Sequence, residues 1–162
     1  MEQFLDHKIV LVKGRRSMGL PKHGAISESD IDETKFRGYS FPKGHIEEGE
    51  SEIEATYREV WEECGILKEN LELANKVGHL VKLDKGREVH LYLFGYKKSE
   101  KDVNPPDLVP ILVEEIMEAK WVTIKSVVDG DIKVKEEILK FFRQNLSAIF
   151  EEYNKYLTKI HQ

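Results

Sequence analysis

A single cysteine, Cys64, stands in the 162 residues, so no disulfide can form within the chain and packing must hold the fold. A basic excess is missing too. The 25 Lys and Arg face 30 Asp and Glu, a net charge of −5. That excludes adhesion to nucleic acid through a broadly positive surface, but leaves room for a polyphosphate bound at a local cationic patch. No apolar run reaches the ~20 residues a membrane-spanning helix needs. Met1-Glu2-Gln3 lacks the basic start of a secretory leader, so a reducing, cytoplasmic setting is expected. Repeats and low-complexity tracts are absent. Proline is sparse, and neither proline nor glycine occurs after Lys133. The length suits one domain over 1–162, with 133–162 as a C-terminal helical segment.

What is present gathers in Gly44 to Ile66, G-H-I-E-E-G-E-S-E-I-E-A-T-Y-R-E-V-W-E-E-C-G-I. Ser51 with Glu54 three residues on is a capping-box pattern, and Gly65 suits a left-handed stop, which predicts a helix over Ser51 to Cys64. Ile53, Tyr57, Val60 and Cys64 form its apolar stripe, with Trp61 expected to pack at the edge. On the other side Glu59, Glu62 and Glu63 fall within an arc of about 100°. Carboxylates that close repel unless a cation neutralises them, and hard oxygen ligands favour Mg²⁺ or Mn²⁺. Phe41-Pro42-Lys43-Gly44-His45 leads into this helix. A glycine-bearing loop at a helix start can receive phosphate, and Lys43 adds a point charge there.

This stretch resembles the signature of the Nudix hydrolases, G-x5-E-x7-R-E-U-x-E-E-x-G-U with U bulky and aliphatic. Gly44, Glu50, Arg58, Glu59, Val60, Glu62, Glu63, Gly65 and Ile66 each stand where the pattern asks, without departure. Such a pattern is far more specific than a short glycine motif. The resemblance implies an α/β fold, an α/β/α sandwich around a mixed sheet, here with an extended C-terminal helix. It implies Glu59 and Glu63 as leading metal ligands, Glu62 sharing metal binding or water activation, and the Gly44 carbonyl as a further ligand. Glu62, Glu59 and Glu115 are the ranked general bases. Glu50, Arg58 and Gly65 take structural roles.

Around the signature, Lys8 to Lys13 reads as a strand and Ser17 to Arg37 as a long loop. Arg15, Arg16, Lys22 and His23 near its start are candidates for phosphate or base contacts, or else plain solvated surface. Gly38 to Phe41 is expected as a short strand. Leu71 to Leu83 and Glu88 to Tyr96 predict a hairpin turning at Asp84 to Arg87. On its second strand His90, Tyr92, Phe94 and Tyr96 share a face. These rings are candidates to stack a nucleobase, with a core face under a helix as the favoured alternative. Lys98 to Leu112 is an irregular proline-bearing connector. Glu118 to Val122 resembles the family's penultimate strand, where Glu114, Glu115 and Glu118 compete to supply a further glutamate. Ile124 to Asp131 is read as a connector. Ile138, Phe142, Leu146, Ile149, Tyr153, Leu157 and Ile160, at 4-4-3-4-4-3 spacing, predict an amphipathic helix with a break near Asn145. Core packing is its default role, and homo-oligomerisation the alternative.

The reaction the resemblance implies is metal-dependent hydrolysis of a diphosphate bond in a nucleoside-diphosphate-X substrate. Lys43, His45, Arg15, Arg16, Tyr92 and Phe94 are the candidate substrate contacts. The P-K-G-H run resembles the asymmetrical dinucleoside tetraphosphate hydrolases, which places a dinucleoside polyphosphate first. F-P-K-G also resembles messenger-RNA decapping and diphosphoinositol polyphosphate members, so RNA 5′ ends or an inositol pyrophosphate come second. A non-catalytic module that binds nucleotide or protein is the reading of another class; it would be expected to have lost signature glutamates that this chain keeps.

Overall fold

The structure, a computed structural model, describes residues 2–21, 24–82, 86–97 and 106–160. Lys22, His23, the Asp84-Lys85 part of the hairpin turn and Asn104-Pro105 lie outside the described residues. The chain opens with one helical turn, α1 (Glu2–Leu5), which inserts Phe4 into the core. Strand β1 (Lys8–Gly14) follows. Three short 3₁₀ turns, Arg15–Met18, Glu28–Asp30 and Glu33–Lys35, punctuate the stretch expected as open loop. Ser17 and Met18 in it are buried, so the loop is anchored rather than solvated throughout.

The signature helix α2 (Glu52–Cys64) starts and stops where the sequence says. Ser51 Oγ accepts the Glu54 N–H at 3.2 Å and donates to the Glu54 carboxylate at 3.0 Å. Gly65, at φ 76°, supplies the left-handed stop. Strands β2 (Leu71–Lys82) and β3 (Arg87–Tyr96) form the expected antiparallel hairpin, with irregularities at Glu72/Asn75 and Lys76/Gly78. Strand β4 (Ile116–Thr123) pairs antiparallel with β1. The predicted strand over 38–41 appears as two isolated bridges, Ser40 antiparallel to Val12 and Tyr39 parallel to Val134. The parallel bridge is what makes the β-structure mixed.

Ile124 to Asp131, read from sequence as a connector, holds a helix, α3 (Ile124–Val128). Thr123 caps it by accepting the Ser126 N–H at 3.1 Å, a start signal the sequence did carry. Helices α4 (Glu136–Gln144) and α5 (Leu146–Ile160) replace one continuous helix, and the break falls at Asn145. There the Asn145 side chain donates to the Phe141 carbonyl at 2.8 Å.

Alternation along the strands builds two apolar layers. Leu11 of β1 and Val122 of β4 face a cluster with Phe4, Val127, Phe142 and Ile149. Val12 and Ile116 face the other way, onto Cys64 and Val60 of α2. The hairpin divides likewise. Leu91 and Leu93 join the layer with Ile149 and Tyr153, while Phe94 meets Tyr57 of α2 at 5.1 Å between ring centroids. Thus α2 covers one side of the strands and α1, α3, α4 and α5 the other, the helix–strand–helix sandwich expected. Most of the C-terminal stripe lies inside this core: Phe142 and Ile149 are buried, and Ile138, Leu146 and Tyr153 pack against them. Trp61 does not pack as expected. It lies about 60° beyond Cys64 around the helix and is 41% exposed.

Candidate active site

Arg58 is the hub of the acidic face. Its Nε donates to Glu50 Oε2 at 2.8 Å and its Nη2 to Glu50 Oε1 at 3.0 Å, a two-pronged pair. Nη1 donates to Glu59 at 2.8 Å and to Glu62 at 3.1 Å, and Nη2 also reaches the His45 carbonyl at 2.8 Å. The Glu50 pair raises the guanidinium's proton affinity further, and in return Arg58 holds Glu50 below the usual carboxylate range. Glu50 accepts the Glu47 N–H as well, at 3.0 Å. This clamp ties the loop over 44–50 onto α2, the structural role expected of Glu50 and Arg58.

Gly44 and Glu59 are pressed together. A Cβ at Gly44 would lie 1.8 Å from Glu59 Oε1, so no other residue fits without moving that carboxylate. Glu63 is the most enclosed acid, 6% exposed, and one oxygen accepts the Lys43 N–H at 3.0 Å. Burial pushes its carboxyl up to about 8, with Glu59 and Glu115 adding repulsion. Burial also raises Glu59, and Glu62 and Glu115 raise it further against the pull of Arg58. Of the three competing glutamates before and in β4, Glu115 is therefore the one brought to this cluster. Glu118 instead accepts the Tyr39 hydroxyl at 3.0 Å, and Glu114 is exposed.

The donor set fits a hard divalent cation. Each hydrogen bond to Glu59, Glu62 and Glu63 uses one oxygen, and each carboxylate has a second. Arg58 offers one positive charge to Glu47, Glu50, Glu59 and Glu62. Buried acids in excess over cations are what a metal relieves. The three signature carboxylates do not close into one tight shell among the described residues. Arg58 Nη1 is bonded to both Glu59 and Glu62.

Two further surfaces are built on segments whose backbone is bonded to the acid-bearing stretches. A cleft of about 350 Å³ is lined by Arg15, Ile26, Ile31, Val109, Val113 and Met117. Its walls are tied to the acids, because the Ile111 and Leu112 N–H groups bond the Glu62 carbonyl and the Arg15 N–H bonds the Glu115 carbonyl. The Arg15 guanidinium pins the loop through the Gly24 carbonyl at 2.7 Å. On the Lys43 side, burial lowers the Lys135 ammonium, and Lys43, Arg37 and Arg16 lower it further. Backbone bonds explain the gathering. The Arg37 N–H reaches the Ser17 carbonyl at 2.7 Å, and the Lys135 N–H reaches the Tyr39 carbonyl at 2.9 Å. Arg37 and Lys135 were not singled out in the sequence; isolated basic residues far apart in the chain carry no local signal.

Tyr92 and Phe94, offered as base-stacking residues, are placed elsewhere. Their contacts are with Glu52 and Tyr57 of α2. The alternating face is a layer beneath the helix, and the apolar cleft was not foreseen. The His45 side chain is exposed; its backbone carbonyl does the work of holding Arg58. Cys64 is buried, its thiol pushed up to about 12 by that burial, as suits a packing residue.

The family model for the NUDIX domain matches residues 6–144. The chain belongs to the Nudix family. It is a Nudix pyrophosphohydrolase, and Nudix hydrolases generally use divalent metal ions. Two solved structures share the Nudix fold with it. A C. elegans Ap4A hydrolase binary complex is 19% identical at a TM-score of 0.52, over 94% of this chain and 88% of that one. A MutT protein from Methanosarcina mazei Go1 is 22% identical at a TM-score of 0.52, over 90% and 84%. Among the described residues, no helix is long and apolar enough to cross a membrane.

Proposed function

We propose that this Nudix hydrolase cleaves a phosphoanhydride bond in a nucleoside polyphosphate with Mg²⁺ or Mn²⁺, a dinucleoside tetraphosphate of the kind named for the C. elegans structure being the leading substrate. The observation that carries the reading is the convergence of Glu59, Glu63 and Glu115, with Glu59 pressed against Gly44. Glu59 and Glu63 would hold the ion, with Glu62 and the Gly44 carbonyl as further donors. Arg58, bonded to Glu59 and Glu62, would share these carboxylates with the ion. When bound, it neutralises phosphate oxygens and acidifies water.

The chain's own groups do the rest. Positioning dominates phosphoryl transfer, since little covalent chemistry falls to the protein. Glu62 takes a proton from the attacking water, with Glu59 and Glu115 next in rank. The water oxygen bonds to one phosphorus as the bridging P–O bond breaks, and the other phosphate leaves. The apolar cleft, whose walls are bonded to the Glu62 and Glu115 backbone, suits a nucleoside. Lys43, Arg16, Arg37 and Lys135 suit the phosphates beyond the bond cleaved. That cationic group also favours the second reading, an RNA 5′ end, because it supplies the local basic surface that overall composition lacks.

A panel of dinucleoside polyphosphates, nucleoside triphosphates, ADP-ribose, capped RNA and an inositol pyrophosphate, run with Mg²⁺ in ¹⁸O-water, tests it. Product masses identify both the substrate and the phosphorus attacked. Glu62→Gln and Glu63→Gln should each lose about 100-fold or more in turnover. Activity untouched by both substitutions would refute the site.

A further inference from the structure

Outside the acidic face, one cluster of metal-ligating side chains stands out on the hairpin. His79 of β2 and His90 of β3 are cross-strand partners, their rings stacked 4.6 Å apart and 6° from parallel. The irregularity at Lys76/Gly78 sets that register. Glu88, two residues before His90 and so on the same strand face, adds a carboxylate. One ligand atom from each of the three lies within 4.8 Å of the others. His90 Nε2 is 3.3 Å from Glu88 Oε2, and His79 Nε2 is 3.8 Å from the same oxygen. A fourth donor comes from α2, where Glu52 Oε1 is also 3.3 Å from His90 Nε2.

Three of the six pairwise separations, 3.3, 3.8 and 3.3 Å, come close to those of a small coordination sphere, while Glu52 stands outside the three-residue group. Four ligands at Zn²⁺ distances of about 2.0–2.2 Å in a tetrahedron stand roughly 3.3–3.6 Å from one another. The supporting contacts on Glu52 also fit. Tyr92 donates to Glu52 Oε2 and Lys76 lies 3.4 Å from that same atom, which leaves Oε1 turned to His90. Nδ1 of His90 is buried without a hydrogen-bond partner among the described residues, so the outer contact that usually orients a ligating ring is missing there and the ring's polar contacts run through Nε2. Parallel rings cannot both aim an in-plane lone pair at one ion, so binding would turn the half-exposed His79 ring out of the stack.

We propose that His79, Glu88, His90 and Glu52 form a second, Zn²⁺-type site of two imidazoles and two carboxylates, separate from the hard-ion site on Glu59, Glu62 and Glu63. Imidazole donors select Zn²⁺ over Mg²⁺, which prefers all-oxygen shells. The two carboxylates balance the divalent charge. By recruiting Glu52, the ion fastens the hairpin to the first turn of α2 and braces the helix that carries the acids.

The full-length chain, stripped with chelator and returned to excess Mg²⁺, is titrated with Zn²⁺ by calorimetry, and separately with Co²⁺ by visible absorption. One ion per chain is expected, tighter than about 1 µM, with the intense absorption of tetrahedral Co²⁺. His79→Ala removes a half-exposed side chain and leaves the core alone. It should weaken binding about 100-fold or more, as should His90→Gln. Zn²⁺ should raise the unfolding midpoint of the parent chain and leave that of His79→Ala unmoved. Glu63→Gln should bind Zn²⁺ as the parent does. No saturable binding, binding that survives both histidine substitutions, or binding lost with Glu63→Gln overturns the proposal.

Discussion

At the scale of single residues, the position under most constraint carries no side chain. Glu59 occupies the space where a Gly44 Cβ would sit. Gly44→Ala must therefore push the carboxylate off its position while leaving the helix and its caps untouched. A displacement of about 1 Å in a catalytic group can cost on the order of 100-fold. We expect kcat/KM to fall by about that factor while the unfolding midpoint moves little. A variant that unfolds instead, or keeps full activity, would show that the contact positions nothing. Cys64 offers a second residue-scale prediction. Its thiol is pushed up to about 12, so at pH 8 to 9 the folded chain keeps it protonated, where an ordinary cysteine passes from about one-quarter to about three-quarters thiolate. Native protein should resist iodoacetamide across that range and react once denatured, as mass spectrometry would read. Gly44, Arg58 and the glutamates were legible in sequence because the signature is contiguous and one helix fixes their faces. The choice of Glu115 over Glu114 and Glu118 was not legible, because it depends on where β4 meets the loop after β1.

At the scale of elements, the sequence spoke most clearly where periodicity and caps agree. Ser51 and Gly65 bounded α2, and the apolar spacing from Ile138 onward marked the C-terminal helices down to the break at Asn145. It spoke least clearly where an element is short. The turn Glu2–Leu5 and the helix Ile124–Val128 each offer too few residues to show a period. The function of α5 follows from its packing. Ile149 is 4% exposed within the cluster that holds Phe4, Val77 and Leu91. Tyr153 meets Phe4 at 5.3 Å between ring centroids. Ile149→Ala should cost about 2–5 kcal/mol of unfolding free energy, measured by denaturant titration with an unchanged slope. A cost below about 0.5 kcal/mol would mean that α5 lies loosely on the strands and that its apolar face serves something else.

At the scale of the whole molecule, the cleft and the cationic side each come from separated stretches of chain. The cleft joins the loop after β1 to the segment before β4. The cationic side joins residues 16, 37, 43 and 135. No local pattern encodes such a gathering, which is why a chain of net charge −5 did not advertise it. If the cationic side holds phosphates beyond the bond cleaved, its contribution must grow with the number of phosphates. Lys135 is the residue to test. Its backbone N–H carries the bond to Tyr39, so Lys135→Gln removes the charge and keeps the bond. Losing one charge-assisted contact of about 1.5–3 kcal/mol raises KM roughly 10- to 100-fold for a tetraphosphate-bridged substrate. ADP-ribose, with two phosphates, should show little change, and kcat should hold for both. Arg37→Gln should follow the same pattern, and the difference should shrink as salt screens the exposed charges. Equal losses on both substrates would assign Lys135 to general field rather than to phosphate counting. A fall in kcat with KM intact would instead place it at the chemistry.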